Sequence, residues 1–184
     1  PKNNRVGILS IGGGVGVIAT EVCEKVGLEI APLESSTVEK LSAFLPSRWS
    51  HGNPVDVAGI GAAKREIVYS SLLTLLKDKN VDAIIFQVPL LLSADRLSSI
   101  LNFNAEESWA FQEMQKEKLA IIGQRAKEYG KPVLLVTPHS DPEAYSLLQR
   151  EGIPAYRNPQ RAARALGYLA WYRHYLNTAN SEAV

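Results

Sequence analysis

The stretch Arg5 to Ala19, RVGILSIGGGVGVIA, runs from a short apolar segment through four glycines in five positions (Gly12, Gly13, Gly14 and Gly16) into the start of a helical pattern. A strand, a glycine turn and a helix in that order begin a parallel α/β sheet, and bare glycines at the turn let backbone amides come close to a ligand. The pattern then repeats. Val6 to Ser10, Leu28 to Leu33, Val81 to Val88 and Pro132 to Thr137 read as strands, with Ile153 to Tyr156 as a short fifth. Helices read at Val15 to Lys25, Thr37 to Leu45, Lys64 to Lys77, Ala105 to Tyr129, Pro142 to Arg150 and Pro159 to Tyr175. The apolar strand runs are continuous rather than alternating, which predicts a mainly parallel sheet of four to five strands covered by helices on both faces. Leu90 to Asn104 is the least regular stretch and reads as a loop or a partly helical excursion.

Helix-end chemistry supports this division. Ser36 with Glu39 has the spacing of a capping box, Gly27 and Gly130 stand where helices stop, and Pro159 suits a first helical turn. One domain over residues 1–176 with a frayed tail at 177–184 is expected, and the absence of an initiating Met suggests a piece of a longer protein.

Composition narrows the partners. Twenty Lys and Arg balance nineteen Asp and Glu, so no global field draws the chain to nucleic acid or an anionic membrane. One cysteine excludes an internal disulfide, no apolar run is long enough to span a bilayer, and no secretory leader is seen, so the expected location is the cytoplasm. Cys23 lies among apolar helix positions and reads as a core residue, and no metal-ligand spacing is present.

Any anion is therefore bound locally, and the glycine loop is the candidate site: Gly12, Gly13, Gly14, Val15 and Gly16 would offer amides, and the following helix roughly half a positive charge. The plainer alternative is that these glycines only permit a tight turn. A nucleotide P-loop is excluded because Val17 and Ile18 stand where Lys and Ser or Thr are required, and a phosphoreceiver's paired acids are missing at Leu9 and Ser10. A dinucleotide loop remains open, since Gly14 to Ala19 fits GxGxxA and Glu34 stands where a ribose-binding acid would lie. A second cluster, Trp49 to Val57 (WSHGNPVDV), contributes His51, Asn53 and Asp56 as further loop contacts beside Ser10, or is simply a turn. His139 and His174 read as inert polar groups. Trp109, Phe111, Trp171, Tyr172 and Tyr175 read as packing residues that would mark a docking face if exposed.

The ordered set RVGILS, GGGVGVIATEVCEKVGLEIAPL, SSTVEKLSAFLP, NPVDV, LLKDKNVDAIIF and GIPAYRNPQRAARALGYLAWYRHY resembles the succinyl-CoA-ligase-like domain of NDP-forming acyl-CoA synthetases, such as ADP-forming acetyl-CoA synthetase, across nearly the whole chain. The resemblance implies a flavodoxin-like three-layer αβα fold. It also implies part of a ligase that reversibly converts acid, CoA and NTP to acyl-CoA, NDP and phosphate through a phosphorylated histidine. Gly12 to Gly14 and the helix from Val15 would face that phosphohistidine, which another domain carries. The catalytic residues, the CoA site and the ATP-grasp module (with ATP or ADP and Mg) would likewise lie on other domains or subunits, and an oligomer is open. Glu21 stands where the family commonly has Asp. Two other functions stay open: a noncatalytic regulatory or docking module joined to an acyltransferase, and a free-standing nucleotide or flavin binder.

Overall fold

The computed structural model describes residues 1–57, 59, 65–87, 98–99, 102–137 and 142–182. The elements are β1 (Arg5–Ser10), α1 (Gly13–Lys25), β2 (Glu29–Ile30), α2 (Ser35–Ser42), β3 (Val55–Asp56), α3 (Arg65–Lys77), β4 (Ala83–Gln87), α4 (Ala105–Tyr129), β5 (Val133–Val136), α5 (Pro142–Arg150), β6 (Ala155–Tyr156) and α6 (Pro159–Glu182). The strand order is β2-β1-β4-β5-β6, with β3 also pairing β1, and every pairing is parallel. With β3 set aside, this is the flavodoxin-like order, in which the first βα turn lies at the point where the order of the strands reverses.

Two apolar layers enclose the sheet. One holds Leu41 of α2, Leu72 and Leu76 of α3, Leu119 and Ile122 of α4, and Leu148 of α5 against Leu9, Ile84 and Leu135. The other holds Ala19 and Cys23 of α1 and Ala162, Ala163 and Leu166 of α6 against Ile8, Ile85 and Leu134. Adjacent strand residues thus point to opposite cores, which is why the strand sequences are apolar without alternation. Burial pushes the Cys23 thiol up to about 12, so it stays neutral as a small apolar side chain.

The ends of the elements follow local chemistry. α4 starts with a reciprocal Asn104–Glu107 capping box, each side chain bonding the other's backbone amide at 2.9 Å, and stops at Gly130 in the left-handed region at φ 63°. α2 departs from expectation: it starts at Ser35 with Glu34 as N-cap, and no side-chain cap forms. The cause is upstream, where the Glu34 amide donates to Asp78 and its carboxylate accepts from the Lys79 amide, which holds Glu34 extended and starts the helix before Ser36 can cap it. α6 extends to Glu182, through most of the expected tail. The expected strand end at Val88, the helix start at Lys64, the loop from Leu90 through residue 97 and His139 lie outside the described residues.

The main difference from the sequence reading is β3. β2 leaves β1 after the Ala31 amide donates to Val6 O at 3.0 Å, so the second half of β1 needs another partner. Val55 and Asp56 supply it, pairing with Leu9 and Ser10. At the junction between the two partners, the Asn53 side chain stands in for a peptide unit. Its Oδ1 accepts from Ile8 N at 2.9 Å, and its Nδ2 donates to Val6 O at 2.8 Å and Ala31 O at 3.0 Å.

Two backbone groups, Ile8 N–H and Ala31 O, depend on this one side chain, and Val6 O takes a second bond from it. Asn53→Ala is expected to cost about 2–4 kcal/mol, because each partly buried group left unpaired costs roughly 1–3 kcal/mol before water compensates. Asn53→Asp is expected to be at least as damaging, since it turns an acceptor toward two carbonyl oxygens. Urea unfolding of the chain measures both, and a loss below about 0.5 kcal/mol for either would contradict the bridging role.

Candidate functional site

The carboxyl edge of the sheet is built from the ends of β1, β3 and β4. β1 delivers Ser10 and then the glycine loop, whose Gly12 is the N-cap of α1 in extended conformation with no side-chain cap. The first amides of α1, from Gly13 onward, thus have no intrahelical acceptor, and α1 has no acidic residue in its first turn. At the end of β4, Gln87 Oε1 accepts from the Ile11 amide at 3.3 Å and ties the base of the loop to the sheet. Gln87 was not singled out from the sequence; the signal was a polar residue closing the apolar run AIIFQ.

The glycines divide into two groups by what surrounds them. A Cβ at Gly16 would lie 3.1 Å from Ser10 Oγ and 3.2 Å from Pro54 Cβ, so Gly16 is a packing residue where α1 crosses β1 and the turn before β3. At Gly12 and Gly14 a Cβ would meet nothing within 4 Å among the described residues, and neither residue has the positive φ that requires glycine. Neither backbone conformation nor packing accounts for these two. Their lack of a side chain leaves the space in front of the α1 amides open. Val15 completes the turn half-buried, whereas Val17 and Ile18 stand 67% and 39% exposed as an apolar rim beside the loop.

Asp56 joins the same edge. Its Oδ2 lies 3.3 Å from where a Gly13 Cβ would be, which puts a carboxylate at the positive end of α1. Its position is fixed from behind: the Asp56 amide donates to Ser50 Oγ at 3.2 Å, and that hydroxyl donates to Pro54 O at 2.6 Å. Ser10 Oγ is buried beneath Gly16 and has no hydrogen-bond partner among the described residues.

The expected contacts therefore divide. Ser10, Gly12, Gly13, Gly14, Val15, Gly16 and Asp56 come together, whereas Asn53 is spent on the sheet. His51 turns back on its own loop, with Nε2 2.9 Å from Ser47 O and its ring centroid 4.9 Å from Trp49. Glu34 is drawn to the Lys79 amide, in the turn that leads into β4, so the acid required by the dinucleotide reading is engaged at the opposite edge of the sheet. Glu21 is exposed in α1 and pairs with Lys25 one turn on. His174 is exposed on α6, and among the described residues no cluster of three or more His, Cys, Asp or Glu could hold a metal. No helix among the described residues is long and apolar enough to cross a membrane.

Known proteins share this fold. Over 167 residues the chain is 33% identical to the acetate–CoA ligase [ADP-forming] II subunit alpha of Pyrococcus furiosus, covering 90% of this chain and 33% of the relative. The chain is a homologue of one domain of the NDP-forming acyl-CoA synthetases. A crystal structure from Pyrococcus horikoshii superposes on this synthetase-like domain with TM-score 0.66 at 30% identity, covering 92% of this chain and 36% of that one. The dinucleotide forming acetyl-coenzyme A synthetase 1 of Ca. Korarchaeum cryptofilum, in complex with phosphate and ADP, gives TM-score 0.65 at 25% identity, covering 97% of this chain and 36% of that one. The chain thus spans about a third of the length of these relatives. No family model matches.

The division of the glycines has a direct consequence. Gly16→Val is expected to cost about 1–3 kcal/mol through overpacking against Ser10 and Pro54. Gly14→Val should stay within about 1 kcal/mol of the parent, because its side chain enters open space. Thermal unfolding of the two variants checks this, and an equal loss for both would make Gly14 a packing residue too.

Proposed function

We propose that this chain is the ligase-like domain of an NDP-forming acyl-CoA synthetase, in which it receives, at Gly12 to Gly16, a phosphoryl group carried on a histidine of another domain. The complete enzyme converts acid, CoA and NTP to acyl-CoA, NDP and phosphate, and runs in reverse. CoA, ATP or ADP and Mg are held by its CoA-binding, phosphohistidine and ATP-grasp domains or subunits.

The observation that supports this reading is that, among the described residues, nothing lies within 4 Å of a Cβ at Gly12 or Gly14, where φ does not call for glycine either. A dianionic phosphoryl group is matched to such a place: several N–H groups converge on it, the helix dipole favours negative charge, and no side chain bars a bulky donor. Asp56 tunes the site in the opposite sense. Two unit charges about 4 Å apart repel by about 4 kcal/mol at an effective dielectric constant near 20, so a carboxylate beside Gly13 disfavours prolonged retention of the dianion. A site that must release its phosphoryl group in both directions of a reversible reaction gains from that balance. The exposed Val17 and Ile18 beside the loop suit burial when the histidine-bearing domain arrives and excludes water.

Two outcomes test the reading. In the complete enzyme, Gly14→Val should slow formation of phosphohistidine by about a hundredfold or more, the scale of losing one preorganised donor, while CoA affinity stays within about twofold. Radiolabelled phosphoryl transfer and CoA titration on a variant of unchanged Tm measure the two effects, and normal phosphorylation would reduce the loop to a turn. The 184-residue chain by itself should turn over no acetate, ATP and CoA, and measurable product from it would contradict the division of labour.

A further inference from the structure

Helix α6 has two opposed faces. Ala162, Ala163 and Leu166 face the sheet, and Gly167 approaches α1 so closely that a Cβ there would lie 2.8 Å from Val26 Cγ2. On the other side Arg161, Arg164, Tyr168, Trp171 and Tyr175 follow the i, i+3, i+7, i+10, i+14 spacing of a helix-pairing seam, and all five are exposed. The aromatic part is exposed by 73% at Tyr168, 65% at Trp171 and 54% at Tyr175, with Tyr172 beside it at 53%. Trp171 and Tyr175 stack on each other, ring centroids 5.9 Å apart, so the rings form a continuous surface. The expectation that these aromatics are packing residues fails for the chain itself.

A heptad-spaced aromatic seam is the surface one helix offers to another. Its charge selects the partner. The seam begins with two arginines, Arg173 lies on the same helix, and no Asp or Glu occurs between Pro159 and Ser181. A second copy would bring the same positive charge against this face, whereas an acidic helix would match it along its length. Beside the seam, a cleft of about 360 Å³ is lined by Trp171, Gly167, Ala170 and Val26 and by polar residues that include Lys2 and His174. We infer that the α6 seam docks an amphipathic helix from another domain of the complete enzyme, with an apolar stripe that meets Tyr168, Trp171 and Tyr175 and with Asp or Glu opposite Arg161 and Arg164. The inference rests on the reading that the chain works within a larger enzyme, and it concerns a surface separate from the glycine loop.

The test is photo-cross-linking in the complete enzyme with p-benzoylphenylalanine in place of Tyr172. The expected product joins Tyr172 to a helical segment of the same enzyme, outside residues 1–184, that carries acidic residues beside its apolar stripe. The exposed pair Arg161→Glu and Arg164→Glu should lower the yield about tenfold or more with the Tm of this domain unchanged, and reversing the facing acids to Lys should restore it. A cross-link to α6 of a second copy, to an unrelated protein or to lipid in phosphatidylserine vesicles would overturn the inference, as would no cross-link at all or a yield indifferent to the arginines. Gly14→Val leaves this readout intact, so a failed phosphoryl-transfer prediction and a failed docking prediction are distinguishable.

Discussion

The carboxamide of Asn53 joins two half-strands to β1. β1 is paired on this side by β2 near its start and by β3 near its end, and the change of partner leaves Ile8 N–H and Ala31 O to one side chain, which also gives Val6 O a second donor beside the Ala31 amide. Everything at the carboxyl edge follows from that splice. With Asn53 in place, Pro54 meets Gly16 and fixes the height of α1, and Asp56 arrives in register with Ser10, its carboxylate beside Gly13. The loop amides are aimed by a strand-to-strand junction in the sheet beneath them rather than by contacts within the loop. In the proposed function, such support would hold the site's geometry while a separate domain comes and goes.

Charge at this edge is arranged in opposition. The start of α1 attracts anions through amides that have no intrahelical acceptor, and Asp56 repels them from 3.3 Å beyond the Gly13 Cβ position. For the proposed reversible transfer, neither effect alone would serve. An uncompensated helix end would hold phosphate too long, and a carboxylate without the amides would exclude it.

Much of the fold was legible in the sequence. The continuous apolar runs, Gly130 and Pro159 located the main strands and helix ends because burial on two faces and restricted backbone angles leave plain marks on residue choice. β3 was not legible: Val55 and Asp56 lie within the turn-like stretch WSHGNPVDV, and they pair with β1 only because β2 departs early. Ser36 misled for a related reason, since the start of α2 is set by Asp78 and Lys79, some forty residues away. At the site, the glycine cluster was visible as a group, but its division was not. Gly16 is bare because Ser10 and Pro54 crowd it, whereas no described residue comes near a Cβ at Gly12 or Gly14, and no one-dimensional pattern separates those causes. The roles of Asn53 and His51 were likewise hidden, because their partners come from β1, β2 and Ser47 rather than from sequence neighbours alone.

The central claim is that a phosphoryl group arriving on another domain is received by the bare end of α1. The most direct measurement is a structure of the complete enzyme trapped in its phosphorylated state with the histidine-bearing domain docked on this one. The account predicts phosphoryl oxygens at hydrogen-bond distance, about 2.7–3.2 Å, from amides of the Gly12 to Gly16 turn, with the Asp56 carboxylate beside them and Val17 and Ile18 covered. A docked phosphohistidine whose oxygens are held elsewhere, with those amides facing solvent, would contradict it.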